Sequence, residues 1–192
     1  MNICVYGASS DKIDKVYIET VEKMGLEMAK RGHGLVFGGG AEGLMGAAAR
    51  GMSAGGGKII GVAPSFFEVD GVLYDKCTKF IYTETMRERK QTMEDKSDAF
   101  IMTPGGIGTF EEFFEILTLK QLCRHQKAIA VLNINGYFDD IAQLMDTAEK
   151  GGFLKNETLK LYKFFTDYNV LLDYIEDYTP NCKTIKDMKH IG

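Results

Sequence analysis

The sequence predicts an α/β protein built on a doubly wound parallel sheet with helices on both faces, and three observations predict it. Six short, continuously apolar runs recur along the chain, segments of helical periodicity alternate with them, and three of the runs empty directly into small-residue or glycine-rich turns. A run that is apolar throughout marks a strand buried on both faces, and strands alternating with helices are the signature of βαβ units.

The elements follow in order. Asn2 to Tyr6 is the first run and enters Gly7-Ala8-Ser9-Ser10. Tyr17, Val21, Met24 and Met28 then recur at i, i+4, i+7 and i+11, the period of an amphipathic helix that Gly32 stops. Leu35-Val36-Phe37 is the second strand, and Gly38-Gly39-Gly40 leads from it into a small-residue helix, Gly43 to Ala54. Lys58 to Ala63 is the third strand, closed by Pro64; residues 65–78 lack a clear period and read as a loop with a short irregular piece. Phe80 to Tyr82 is the fourth strand, followed by a helix from about Thr85 to Lys96. Ala99 to Met102 is the fifth and runs into TPGGIGTFEEFFE, Thr103 to Glu115, where the helical pattern starts at Thr109. Lys127 to Leu132 is the sixth, followed by an Asn135-Gly136 turn and a helix from about Phe138 to Lys150 that Gly151-Gly152 ends. Asn156 to about Glu176 reads as two short helices around Phe164-Phe165. Residues 1–179 form one domain in this reading, and residues 180–192, with lysines at 183, 186 and 189, form a solvated tail.

Composition narrows the function. A hydrophobic fraction of 45%, a charged fraction of 26% and a net charge of −4 without long charged blocks describe a soluble globular chain. A nucleic-acid partner is not expected, because that needs a basic face. No apolar run approaches the ~20 residues of a membrane span, and no signal peptide opens the sequence, so the expected location is the cytoplasm. Cys4, Cys77, Cys123 and Cys182 are scattered, with no CxxC pair, and read as reduced thiols, neither a disulfide framework nor a metal site.

In a parallel sheet of right-handed crossovers every strand-to-helix loop lies on one edge. Ser9-Ser10, Gly38 to Gly40, the start of the helix carrying Met86-Arg87-Glu88-Arg89-Lys90, and PGGIGT therefore share a crevice. The strand, glycine turn and helix N-terminus around Gly105, Gly106 and Gly108 suit an anion such as phosphate, since the backbone can come close and free N–H groups face the ligand. Several residues keep two readings here. Glu111 and Glu112, read as lying in the first helical turn, either complement the helix dipole or do chemistry beside the anion. Gly38 to Gly40 serve either packing or a ligand. The basic run is either a solvated face or part of the site, and Arg89 and Glu112 lie close enough in this topology to meet.

These motifs resemble those of the LOG ("Lonely Guy") family of cytokinin riboside 5′-monophosphate phosphoribohydrolases, whose members were long labelled lysine decarboxylases. PGGIGTFEE is similar to the family's PGGxGTxxE signature, Met86 to Lys90 to its MxxRK element, and GGGAEGLMG (Gly38 to Gly46) to its GGGxxGLMG turn. The segment Ser97 to Phe100, the run Lys127 to Tyr137 and Gly152-Phe153 also resemble family elements, so the likeness covers roughly residues 1–160. It implies a Rossmann-like fold and hydrolysis of the N-glycosidic bond of a nucleoside 5′-monophosphate, AMP or N6-prenylated AMP, to free base and ribose 5-phosphate. It implies Arg89 and Glu112 as the catalytic pair. Gly39, Gly40, Met86, Lys90, Gly105, Gly106, Gly108 and Thr109 would then bind the substrate and its phosphate. It implies a homodimer, no cofactor and no metal. The alternative from another class is a non-catalytic carrier of a nucleotide or of molybdenum cofactor, for which an Arg–Glu pair would have no use. Three positions depart from the family pattern: Glu42 stands where a small or hydroxyl residue is expected, Gly7-Ala8-Ser9 replaces CGS, and Cys123 stands where glycine is common.

Overall fold

The computed structural model describes residues 1–67 and 71–180; the predicted tail therefore lies almost wholly outside the described residues, as does Cys182. Seven parallel strands form one sheet: β1 (Asn2–Tyr6), β2 (Gly34–Phe37), β3 (Lys58–Pro64), β4 (Lys79–Thr83), β5 (Ala99–Met102), β6 (Ala128–Leu132) and β7 (Lys163–Phe165). Their order across the sheet is β4-β3-β2-β1-β5-β6-β7. The chain starts in the middle, walks outward to β4, then returns to the other side of β1 and walks outward again. That reversal puts a crevice between the C-terminal ends of β1 and β5, where open α/β sheets bind ligands.

The helices are α1 (Lys15–Lys30), α2 (Gly43–Ala54), α3 (Met86–Asp95), α4 (Ile107–Gln121), α5 (Asp139–Lys150), the single turn α6 (Asn156–Leu159) and α7 (Tyr168–Glu176). Successive strand residues point to opposite faces, and two cores result. Ile3, Val5, Leu35, Phe37 and Ile101 pack with Val21, Met24 and Leu44 on the face of α1 and α2. Cys4, Tyr6, Val36, Phe100 and Met102 pack with Met93, Phe113 and Leu117 on the face of α3 and α4. Phe113 and Leu117 are thus core residues, while Phe110 and Phe114 are only partly buried against the same core. The helices α1 and α2 lie unusually close because small residues face each other: a Cβ on Gly51 would stand 2.0 Å from the carbonyl oxygen of Glu22.

Two sequence expectations are corrected. The segment around Phe164-Phe165 is the strand β7, paired with β6 from Ala130↔Lys163 to Leu132↔Phe165. Three residues between two short helices are too few for a period to show, and the pairing with β6 decides. The helix after the PGG turn starts at Ile107, not Thr109, because Gly106 takes the extended N-cap conformation (φ −93°, ψ −154°) and Gly108 is accommodated inside the first turn. Glu111 and Glu112 consequently lie in the second turn, one turn further from the positive end of the helix. The segment before β4, expected as a loop with a short irregular piece, contains a 3-10 turn, Ser65–Phe67, and is joined to the Gly38 to Gly40 turn by an antiparallel Gly40↔Leu73 bridge. Among the described residues no helix is long and apolar enough to cross a membrane.

Candidate active site

The crevice at the β1–β5 reversal opens into a cavity of about 630 Å³, inside the ~300–1,000 Å³ range of small-molecule sites. The glycine loops, α3 and α4 all contribute to it. On one wall, Thr85 caps α3 with a capping box to Glu88, fixing the helix so that Met86 and Arg89 face the cavity while Arg87 is exposed. On the other, α4 begins at the cavity with Gly106 and Gly108 in its lining.

Arg89 and Glu112 meet at the bottom. The guanidinium Nη1 donates to Glu112 Oε1 at 2.9 Å, and Nε donates to the Val62 carbonyl of β3 at 3.2 Å. Both side chains are about one-tenth exposed, 8% and 11%. Gly38 makes room for the pair: a Cβ there would lie 2.0 Å from Arg89 Nη2. Burial pushes the Glu112 carboxyl above the ordinary 4.5, and the neighbouring Arg89 charge and its hydrogen bond pull back against that rise without cancelling it.

The anion end lies one helical turn away. The first N–H of α4 to find a main-chain acceptor is that of Phe110, which bonds to Gly106 O; those of Ile107, Gly108 and Thr109 have no partner among the described residues. Three unsatisfied donors at the positive end of a helix are an anion cradle. Glu112 lies four residues beyond Gly108, hence on nearly the same face and about 6 Å further along the axis.

The structure places seven of the ten sequence-selected residues in the cavity lining: Arg89, Glu112, Gly40, Met86, Gly106, Gly108 and Thr109. The other three lie just behind it. Gly39 adopts φ +81°, and a Cβ on it would stand 2.6 Å from the Phe80 ring, while its carbonyl accepts from Tyr74 N. The carbonyl of Gly105 accepts from the Tyr137 hydroxyl at 2.7 Å, which ties the PGG turn to the segment entering α5. Lys90 turns away from the cavity and clasps α4 from outside, pairing with Glu111 and, at 2.9 Å, with Glu115. Glu111 therefore both borders the cavity and answers a cation. Residues the sequence did not select also line it, among them Ser9, Glu42, Met45, Phe67 and Leu73. The loop placement of Ser9 was legible in the strand-then-turn pattern. Phe67 and Leu73 had no such signal, because only the bridge to Gly40 brings their segment over the site.

Cys123, at the end of α4, has φ +56°, the left-handed conformation that glycine adopts without cost, which accounts for glycine being the common residue there. Among the described residues no group of three or more His, Cys, Asp or Glu is arranged to hold a metal ion.

A parallel sheet that reverses its strand order at such a crevice, with open helix N–H groups and an ion-paired Arg–Glu beside it, defines a Rossmann-like protein. Residues 45–175 match the family described as "Possible lysine decarboxylase". The chain is 34% identical to the probable cytokinin riboside 5′-monophosphate phosphoribohydrolase LOGL5 of Oryza sativa subsp. japonica, over 93% of this chain and 72% of that protein. It is 32% identical to the cytokinin riboside 5′-monophosphate phosphoribohydrolase LOG2 of Arabidopsis thaliana, over 93% of this chain and 84% of that one. The chain belongs to this LOG family. Among solved structures, a molybdenum cofactor binding protein from Rippkaea orientalis superposes with a TM-score of 0.71 at 20% identity, covering 91% of this chain and 94% of that one. The Moco carrier protein of Chlamydomonas reinhardtii superposes at 0.68, also at 20% identity and with the same coverages. At that identity these two establish the shared fold.

Proposed function

We propose that the protein is a phosphoribohydrolase that cleaves the N-glycosidic bond of a nucleoside 5′-monophosphate, releasing free base and ribose 5-phosphate. The observation that carries this is the buried Arg89–Glu112 pair one helical turn from the open N–H groups of α4. The 5′-phosphate binds those N–H groups and anchors the ribose. Glu112 uses Oε1 to hold Arg89, and its other oxygen is left for the reaction. As the bond from C1′ to the base nitrogen lengthens, positive charge builds on the sugar, and the fixed carboxylate stabilises it and orients the attacking water. Water delivers oxygen to C1′, and its proton balances the departing base. Arg89 holds the carboxylate in place through its second anchor on Val62 O, a tether that does not depend on substrate. Phosphate binding remote from the scissile bond supplies the positioning energy, so nucleosides react more slowly than nucleotides.

The relatives named phosphoribohydrolases support the hydrolytic reading. A carrier role, suggested by the names of the structural neighbours, has no need of a carboxylate buried against an arginine in the ligand cavity. Apolar Met45, Phe67, Leu73 and Met86 in the lining suit a base carrying an apolar N6 substituent as well as adenine itself. We propose further that the protein acts in the cytoplasm as a homodimer. Its size in solution, read by light scattering, tests the second point.

The deciding experiment incubates the protein with AMP, isopentenyl-AMP and adenosine and quantifies released base by chromatography. Release from the two nucleotides with little from adenosine is the expected result. No release from either nucleotide, with AMP still bound, would leave a nucleotide-binding module in place of an enzyme.

A further inference from the structure

The cavity lies between two helix starts that are not equivalent. The start of α2 and the turn that leads into α4 converge on Ala8: its N–H donates to Pro104 O at 3.0 Å, and its carbonyl accepts from Leu44 N at 2.8 Å and Met45 N at 3.3 Å. Each helix start attracts anions, so a crevice holding both would suit a ligand with a chain of phosphates. At α4 the N–H groups are open. At α2 those of Leu44 and Met45 are spent on Ala8, and Gly46 donates to the carbonyl of Glu42. The residue at the head of α2 is Glu42, extended at φ −104° and ψ 176°, and its side chain forms no capping bond. It is exposed to the cavity that Ser9 and Gly108 also line. Glu42 has no ion-pair partner among the described residues. Arg89 is the one cationic side chain among the described lining residues, and it is already held by Glu112 and Val62.

Building on the reading of this crevice as a nucleotide site, we infer that Glu42 is a specificity-determining residue. It limits the ligand to one phosphate by opposing a second anionic group at the start of α2. A monophosphate occupies the α4 cradle. The additional phosphate of a diphosphate must extend toward solvent or toward α2, where the carboxylate cancels the attraction of the helix start and repels the newcomer.

The test is calorimetric titration of AMP and ADP into the wild type, Glu42→Gln and Glu42→Val, at low and at raised salt, with base release followed in parallel. Glu42 is exposed at a helix start, so both variants are expected to keep the wild-type melting profile. Gln preserves shape without charge and Val removes both, so agreement between them isolates the charge. The expected result is a wild type that binds AMP at least about tenfold more tightly than ADP, a gap the size of one partly screened charge repulsion. Added salt narrows that gap in the wild type, and both variants close it, mainly through tighter ADP binding. Equal affinity of the wild type for AMP and ADP overturns the inference. A gap that survives in both variants also overturns it, since the cavity wall would then do the excluding. Binding with these ratios but without base release leaves the inference standing and sinks the hydrolase reading. No binding of either nucleotide overturns both.

Discussion

Replacing Glu112 by Gln separates the two things this residue does. Gln keeps an acceptor for Arg89 Nη1, now 2.9 Å from Oε1, but removes the negative charge beside Arg89. Losing one preorganised electrostatic group from an active site costs about 10²–10³ in turnover, and among the described residues no other carboxylate is held against Arg89. Binding of AMP should survive, because the N–H groups of Ile107 to Thr109, proposed above to take the phosphate, are not touched by the substitution. Stability divides the same way. Gln leaves the guanidinium hydrogen-bonded and costs about 1–2 kcal/mol, whereas Ala strands a charge that is only 8% exposed, costing about 3–5 kcal/mol. At about 2–4 °C per kcal/mol for a chain of this size, Gln lowers the melting temperature by a few degrees and Ala by on the order of 10 °C. The assay is base release from AMP under saturating conditions, with AMP affinity by calorimetry and melting by scanning fluorimetry. A Gln variant that keeps a third or more of wild-type turnover would refute the charge argument. One that loses AMP affinity in step with turnover would show that Glu112 binds substrate and does not act on it.

Four more outcomes follow from the structure. Since burial holds the Glu112 carboxyl above 4.5, turnover should fall with acid through a midpoint above that value, and a pH–rate profile with its acid limb at or below 4.5 would contradict the assigned role. The folded protein also binds this proton more tightly than the unfolded chain does. Its contribution to stability is therefore fullest below 4.5 and is lost as pH rises through the folded-state value, a trend that comparing wild-type and Glu112→Gln melting across pH should reveal. Gly38→Ala puts a methyl 2.0 Å from Arg89 Nη2, so turnover should drop more than about tenfold, with a stability loss of about 1–3 kcal/mol from overpacking; unchanged kinetics would mean that the guanidinium position is not critical. Cys123→Gly relieves the left-handed backbone at φ +56° and should stabilise the protein by about 0.5–1 kcal/mol, the relief of strain exceeding the added freedom of the unfolded chain; a lower melting temperature would count against it.

How much of this was legible beforehand depends on the range over which each feature is decided. The first six strands, the loop edge they share and the glycine turn at Gly105 to Gly108 were readable, because apolar runs and turn chemistry act within a few residues; the burial of the fourth strand was not, since β4 lies at the sheet edge and its residues are only half-buried or exposed. Arg89 and Glu112 could be nominated together, by topology and by resemblance. Their contact is a matter of packing, since it spans 23 residues and depends on α3 and α4 lying on the same face of the sheet. Lys90 shows the limit most clearly: its neighbour Arg89 points into the cavity, whereas Lys90 itself is turned outward by the helical twist of about 100° per residue onto Glu111 and Glu115. The strand β7 was invisible, because three residues carry no period and only β6 gives them a partner. Glu42 stood out in the sequence as an anomaly within a glycine turn, yet its place opposite the open end of α4 was set by Ala8 bridging two helix starts. The sequence by itself determined the elements and the chemical vocabulary of the site, because those are encoded by local periodicity and turn geometry. Which side chains face one another across the cavity was decided by the tertiary structure, because burial and strand order bring together groups that no local pattern connects.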